Sequence, residues 1–386
     1  MDFQLTDEHR LIQATAREFA TKDILPRAAA LDQAGTFPAE IIQRAAALGF
    51  LGISVPEQYG GAGIDAIGNV IIQEELARAS AGVQTIVTVN NALVCDPILR
   101  FGTDLQRQGY LPALVSGKSL GCYCLTEPSS GSDAMSLQST ARLDGESWIL
   151  NGTKSFVTSG VEADICIVYA RTGTEPGARG ISAFIVEKRF PGISVGKVEK
   201  KLGIKCSSTA EIALTDCRVP RGNVLGNLNQ GGRIALATLD GGRIGIAAQA
   251  IGIARAALEE SLAYAAARRQ FGQPIAEFQA IQWSLADMAT RIDAARLLTY
   301  RAAYVRQQGV RYTREAAMAK LLASETAMWA AHKGVQIHGG YGYIQDYPVE
   351  RYFRDAKITE IYEGTSEVQR LVIARQVLEA ALGSAR

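Results

Sequence analysis

Apolar positions along the chain change period twice. Over the first third they recur at helical spacing, over the middle they alternate or run together as in strands, and from Gly231 onward helical spacing returns. Thr6 predicts an N-cap, with Asp7 and Glu8 in the first turn and Ile12, Ala16 and Phe19 sharing a face. A second helix is expected from near Pro38, after Thr36, burying Ile41, Ala45 and Leu48 and stopping at Gly49. More helices are expected between Ala66 and Leu114.

In the middle section, two β-rich runs, Ser147–Leu150 and Ser155–Thr158, flank Asn151-Gly152, which predicts a hairpin. Ile165–Ala170, Ile181–Val186 and Thr209–Leu214 are further β-rich runs, so an antiparallel barrel or sandwich is expected. Ile244–Ala267 and Gln279–Gln307 then read as long helices of a bundle, buried between neighbours or subunits. The expected class is α+β and multidomain: an N-terminal helical domain over 1–118, a β domain over 119–230 and a helical bundle over 231–386.

Composition narrows the function more than the fold. The chain of 386 residues has 40 Lys and Arg against 39 Asp and Glu, so no global field favours nucleic acid or an anionic membrane. Its longest uncharged stretch, Ala79–Cys95, is too short and too polar to span a bilayer. Asp2, Asp7 and Glu8 at the start do not resemble a basic leader, which predicts a cytoplasmic protein of bacterial type or one of an organelle matrix. The 6 cysteines form no framework and read as free buried thiols; Cys122 and Cys124 share a strand face, yet with no second pair and 3 histidines no metal is expected.

Three blocks carry candidate chemistry. Cys124-Leu-Thr-Glu-Pro-Ser-Ser-Gly-Ser-Asp133 is a hydroxyl-rich loop whose backbone can approach a diphosphate, although such clusters are usually turns. Gln336–Tyr343 sets three glycines in a helical region, where a cap explains one or two of them. Ile361–Arg370 places Glu363 in a turn before Thr365 or Ser366 caps another helix; on spacing alone a surface glutamate reads equally well.

In combination, order and spacing, these blocks resemble the acyl-CoA dehydrogenase family of flavoproteins, closest to short-chain, butyryl-type members. The carriers are Cys124-Leu-Thr-Glu-Pro-x-x-Gly-Ser-Asp133 and Gln336-x-x-Gly-Gly-x-Gly-Tyr-x-x-Asp346, continued by Arg351 and Asp355; the likeness runs from Leu5 to Arg375. It implies a fold of N-terminal helical, middle β and C-terminal four-helix-bundle domains, and FAD as cofactor. The implied reaction is α,β-dehydrogenation of a short, straight or 2-methyl-branched acyl-CoA to the trans-2-enoyl-CoA. Glu363 would take the α-proton while a hydride leaves the β-carbon for flavin N5. Relatives that carry the base on a bundle helix have it where this chain has Gly242, which argues against isovaleryl-type substrates.

The resemblance assigns further roles. Flavin contacts would fall on Tyr123, Leu125, Thr126, Gly131 and Ser132, and on Phe156, Val157 and Thr158, the first of these three often tryptophan in relatives. Arg268, Gln270, Phe271, Gln279, Gln336, Gly339 and Gly340 would reach a neighbouring subunit's FAD, and Thr365 and Glu367 would follow the base. Substrate contacts would include Ser132, Asp240, Arg243, Gly364 and Arg375. Implied partners are acyl-CoA, electron-transfer flavoprotein and three further copies in a dimer of dimers, with fatty acid β-oxidation as the setting. An oxidase delivering electrons to oxygen, or a non-catalytic scaffold of the same fold, are the alternative functions.

Overall fold

The computed structural model describes residues 4–383; Asp2 lies outside them. Seven helices open the chain: α1 Asp7–Phe19, α2 Ala28–Ala34, α3 Ala39–Ala47, α4 Ala66–Ala79, α5 Ala81–Thr88, α6 Asp96–Phe101 and α7 Asp104–Val115. Thr6 caps α1 by accepting from His9 N, as the sequence predicts, and Ala16 and Phe19 are buried. Helix α3 buries Ile41, Ile42 and Ala45, but Leu48 lies past its end and is 41% exposed, contrary to expectation.

Eight strands follow: β1 Gly121–Cys124, β2 Thr140–Asp144, β3 Ser147–Thr158, β4 Ile165–Arg171, β5 Ile181–Glu187, β6 Ile193–Val198, β7 Thr209–Pro220 and β8 Val224–Leu225. They form one sheet in the order β6-β7-β3-β2-β4-β5-β8, with β1 joined to β4. The expected all-antiparallel arrangement needs correcting, because β4 pairs in parallel with both β1 and β2. Alternation along β4 fills two cores. Ile165, Ile167 and Tyr169 pack with Ile98, Leu111, Leu114 and Ile234, whereas Cys166, Val168 and Ala170 join Trp148, Phe184 and Leu214.

The expected hairpin at Asn151-Gly152 is absent: β3 continues through it without reversing. Gly152 serves close packing there, since a Cβ would overlap Ser139 on the neighbouring segment. The reversal lies earlier, where β2 pairs β3 in register Asp144↔Ser147 and Gly145 takes φ +59°. Register shifts at Leu150/Gly152 and Lys154/Val157 bend β3, and the second presents Phe156 at φ +56° to the outside.

The last third comprises α8 Gly231–Ala267, a small ladder of β9 Arg269–Gln270 with β10 Gln273–Pro274, α9 Gln279–Gln307, α10 Thr313–His338, α11 Val349–Thr359 and α12 Ser366–Leu382. Helices α8, α9 and α10 pack on one another and α12 lies against α10. Alanines line their seams: Ala247, Ala250, Ala254, Ala319, Ala323 and Ala327 are sealed from water. Helix α4 is cemented to this bundle by buried ion pairs, Glu74 and Glu75 meeting Arg255 at 3.0 and 2.9 Å and Glu74 meeting Arg296 at 2.9 Å. Among the described residues, no helix is long and apolar enough to cross a membrane.

Candidate active site

A cleft opens where β1, the β3 bulge, α5, α8 and the turn before α12 converge. The loop after β1 supplies Leu125, Thr126, Gly131 and Ser132, the bulge supplies Phe156 and Thr158, and α8 supplies Arg243. Tyr123, Glu363 and Gly364 line it too, so sequence blocks more than 200 positions apart meet.

Local anchoring explains the loop's position. Ser155 N donates to Thr126 O at 2.8 Å, tying loop to bulge. Behind it, the fully buried Lys154 ammonium meets Glu127 Oε1 at 2.7 Å, and the same carboxylate accepts from Gln138 N at 2.5 Å and Ser139 N at 3.0 Å. Burial opposes ionisation of Glu127, but Lys154 and these donors override it and hold its carboxyl below the usual range.

Glu363 sits in a left-handed turn, φ +54°, followed by Gly364 at φ +95°. Thr365 then caps α12 by accepting from Val368 N at 3.3 Å, as expected. Among the described residues, Glu363 Oε2 is sealed from solvent and has no hydrogen-bond partner. Burial pushes the carboxyl up to about 7, against the opposing pull of Lys320 and Arg243. A carboxyl so raised accepts a proton readily, and its Oε2 has no donor among the described residues to compete for it.

Beside it, Arg243 Nη1 binds Asp240 Oδ1 at 2.7 Å, and Asp240 Oδ2 accepts from Thr313 at 2.6 Å. Burial raises the Asp240 carboxyl even so, because the site is poorly solvated. The cleft's inner wall is a polar relay: Tyr362 donates to Gln249 Oε1, and Gln249 Nε2 donates to Thr85 Oγ1 at 2.7 Å and to Ala81 O at 3.0 Å. From the same side, Val89 and Leu93 reach the cleft from a π-helical stretch, Val89–Cys95.

Not every expected residue points here. The Val157 side chain packs into the sheet core at 1% exposure and does not line the cleft, as strand alternation dictates. Arg268, Gln270, Gly339 and Gly340 instead line a second hollow with Tyr264, Arg268 lying 5.7 Å over the Tyr341 ring. Phe271 stands beside them, 93% exposed at φ +49°. Gln279, Gln336, Glu367 and Arg375 are exposed and line neither cavity.

Sequence reasoning missed Lys320, Gln249 and the Glu127–Lys154 pair. It also missed that Cys166 joins Cys122 and Cys124, their ligating atoms all within 4.8 Å of one another in the sheet core. A lone polar residue inside an Ala-rich helical run was the available signal for Lys320 and Gln249.

A planar aromatic ligand fits the cleft. Phe156 is 66% exposed there, forgoing on the order of 1–2 kcal/mol of burial that a ring laid against it would recover. Apolar Leu125, Leu236, Leu239 and Ile246 share the lining with the hydroxyls of Thr126, Ser132 and Thr158, and a Cβ on Gly131 would meet nothing, leaving its backbone open.

Comparison with known proteins converges on the same assignment. The N-terminal, middle and C-terminal domain models of acyl-CoA dehydrogenases match residues 6–118, 122–217 and 229–378. The mitochondrial short-chain specific acyl-CoA dehydrogenase of Mus musculus is 47% identical over 98% of this chain and 92% of its own length. Butyryl-CoA dehydrogenase from Megasphaera elsdenii superposes with a TM-score of 0.96 at 45% identity, covering 98% of this chain and all of its own. A structure described as electron transferring flavoprotein of Acidaminococcus fermentans, in work on flavin-based electron bifurcation, contains a chain that superposes at 0.97 with 48% identity, covering 98% of this chain and 100% of that one.

Proposed function

This chain belongs to the acyl-CoA dehydrogenase family, oxidoreductases that use FAD, and on that premise we propose that it converts short, straight or 2-methyl-branched acyl-CoA thioesters to trans-2-enoyl-CoA with Glu363 as the base. The observation that carries the base assignment is the sealed, unpartnered Oε2 in the cleft. When bound, FAD supplies the acceptor for the hydride leaving the β-carbon.

The chain's own residues do the rest. Tyr123, Leu125, Thr126, Gly131, Ser132, Phe156 and Thr158 would hold the flavin, with Thr365 and Glu367 following the base. Arg268, Gln270, Phe271, Gln279, Gln336, Gly339 and Gly340 would reach the cofactor of a neighbouring copy, which explains an exposed phenylalanine beside an open hollow and implies a dimer of dimers. Ser132, Asp240, Arg243 and Gly364 would meet the substrate. Arg375 lies away from the cleft lining, so its contact would be with the distal CoA moiety.

An α-proton of a thioester is weakly acidic, so removal needs a raised carboxyl and a stabilised oxygen together. Glu363 provides the first, and its backbone N–H is proposed to hold the thioester oxygen. The Tyr362–Gln249–Thr85 relay closes the inner wall and favours short acyl groups. Electron-transfer flavoprotein is the proposed acceptor, supported by the Acidaminococcus structure.

The test is an acyl-CoA panel scored by anaerobic flavin reduction, with Glu363→Gln alongside. Butyryl-CoA should bleach the wild-type flavin, and the variant should bind flavin and acyl-CoA but bleach at least 10³-fold more slowly, as expected when an acid–base group is lost. Near-normal bleaching in the variant would overturn the base assignment; rapid reoxidation in air would identify an oxidase.

A further inference from the structure

Lys320 is fully buried in the first third of α10, among alanines that seal the bundle. An ammonium taken out of water persists only where built partners meet it. Its Nζ donates to the Gly364 carbonyl at 2.8 Å. Gln369 Nε2 donates to the same carbonyl at 2.8 Å and to the Glu363 carbonyl at 3.2 Å. Two side chains from α10 and α12 therefore grip the two successive left-handed residues of the base's turn. A non-glycine residue held there costs about 1–3 kcal/mol and persists only where its surroundings over-determine it.

We propose that Lys320 is a positioning residue for the Glu363 carboxylate: its ammonium clamps the Gly364 carbonyl, so that the turn holds the carboxyl in the cleft, and its charge faces that carboxyl. The proposal rests on the reading of Glu363 as the base.

The surrounding charges define what the clamp does. Arg243 from α8, Lys320 from α10, Tyr123 from β1 and the adjacent Tyr362 face Glu363. Lys320 in turn faces Glu363, Glu360 and Glu367, with Arg243 as a like charge, and burial pulls its ammonium down to about 8. Of the two cations that favour ionised Glu363, Arg243 is already paired to Asp240 at 2.7 Å, whereas Lys320 has its carbonyl contact to the base's own turn. Removing Lys320 thus withdraws both the grip and the less compensated charge.

The test uses the full-length, FAD-loaded enzyme with Lys320→Met and Lys320→Arg, reading kcat/KM for butyryl-CoA against pH together with the flavin-to-protein absorbance ratio. In the Met variant the flavin ratio should stay at the wild-type value, kcat should fall at least tenfold, and the acidic limb should move upward by about one pH unit. In the Arg variant the charge returns, so the limb should lie at or below its wild-type position. A Met variant that holds flavin and keeps the wild-type limb overturns the proposal. So does a loss equal at every pH, or failure of both variants to fold and hold flavin, since each leaves Lys320 with a role in the fold alone. The base assignment fails separately, by near-normal flavin bleaching in Glu363→Gln.

Discussion

Gly242 abuts the carboxyl of Glu363 so closely that a Cβ on it would overlap Oε2 and stand 2.8 Å from Cδ. At the position where the family resemblance would put a base in other members, this chain has a residue whose missing side chain makes room for Glu363. Gly242→Ala should therefore displace the carboxyl without weakening α8, because alanine is worth up to ~1 kcal/mol more than glycine in a helix interior. Flavin content should persist while kcat falls roughly 10²-fold, the usual consequence of a reacting group moved by an ångström. Stopped-flow flavin reduction with butyryl-CoA measures it.

The raised Glu363 carboxyl also fixes two pH dependences of opposite sense. As the proposed base it must be ionised, so kcat/KM should climb about tenfold per unit below pH 7 and level off above it. Stability runs the other way. An acid whose folded value, about 7, exceeds its unfolded value of 4.5 stabilises the native state only while protonated, and that contribution is lost as pH rises through this window. Relative to wild type, flavin-loaded Glu363→Gln should gain on the order of 2–3 kcal/mol between pH 4.5 and 7.5, seen in urea unfolding.

Much of this was legible in the chain because local chemistry encodes it. Thr6 and Thr365 cap the helices they precede, and Glu363 lies in the turn that Gly364 and Thr365 announce. Misreadings came from residues whose reasons are distant. Gly152 is a glycine because Ser139 crosses it, not because the chain reverses there. Lys320 and Gln249 owe their burial to Gly364 and Tyr362, 44 and 113 positions away, and no periodicity reports such partners. Val157 sits inside the block that the family resemblance assigns to flavin, yet strand alternation turns its side chain into the core.

Chain-length preference should respond to Gln249. Its amide links Tyr362 to Thr85 behind the cleft lining, so Gln249→Ala removes the brace and opens volume between α5 and α8. Each methylene accommodated is worth about 1–3 kcal/mol. The ratio of kcat/KM for octanoyl-CoA to that for butyryl-CoA should rise at least tenfold, with butyryl-CoA turnover reduced by the unpaired Tyr362 hydroxyl. An unchanged ratio across a C4–C8 panel would place the inner wall elsewhere.

The Glu127–Lys154 pair makes the remaining prediction, one about cofactor retention rather than chemistry. Both side chains are buried, and the carboxylate holds Gln138 N and Ser139 N as well as the ammonium, so it organises both ends of the loop that carries Thr126 and Ser132. Lys154→Met leaves that carboxylate buried without its cation, which costs about 3–5 kcal/mol. The variant should unfold at lower urea and release FAD on dilution, with flavin fluorescence as the readout. Adding Glu127→Gln removes the stranded charge while keeping an amide oxygen for one of the two N–H donors, which in the wild type meet separate oxygens, and should restore part of both losses. If the double variant were no better than Lys154→Met, the loop would be held by its backbone contacts, such as Ser155 N to Thr126 O, and the ion pair would be incidental to flavin binding.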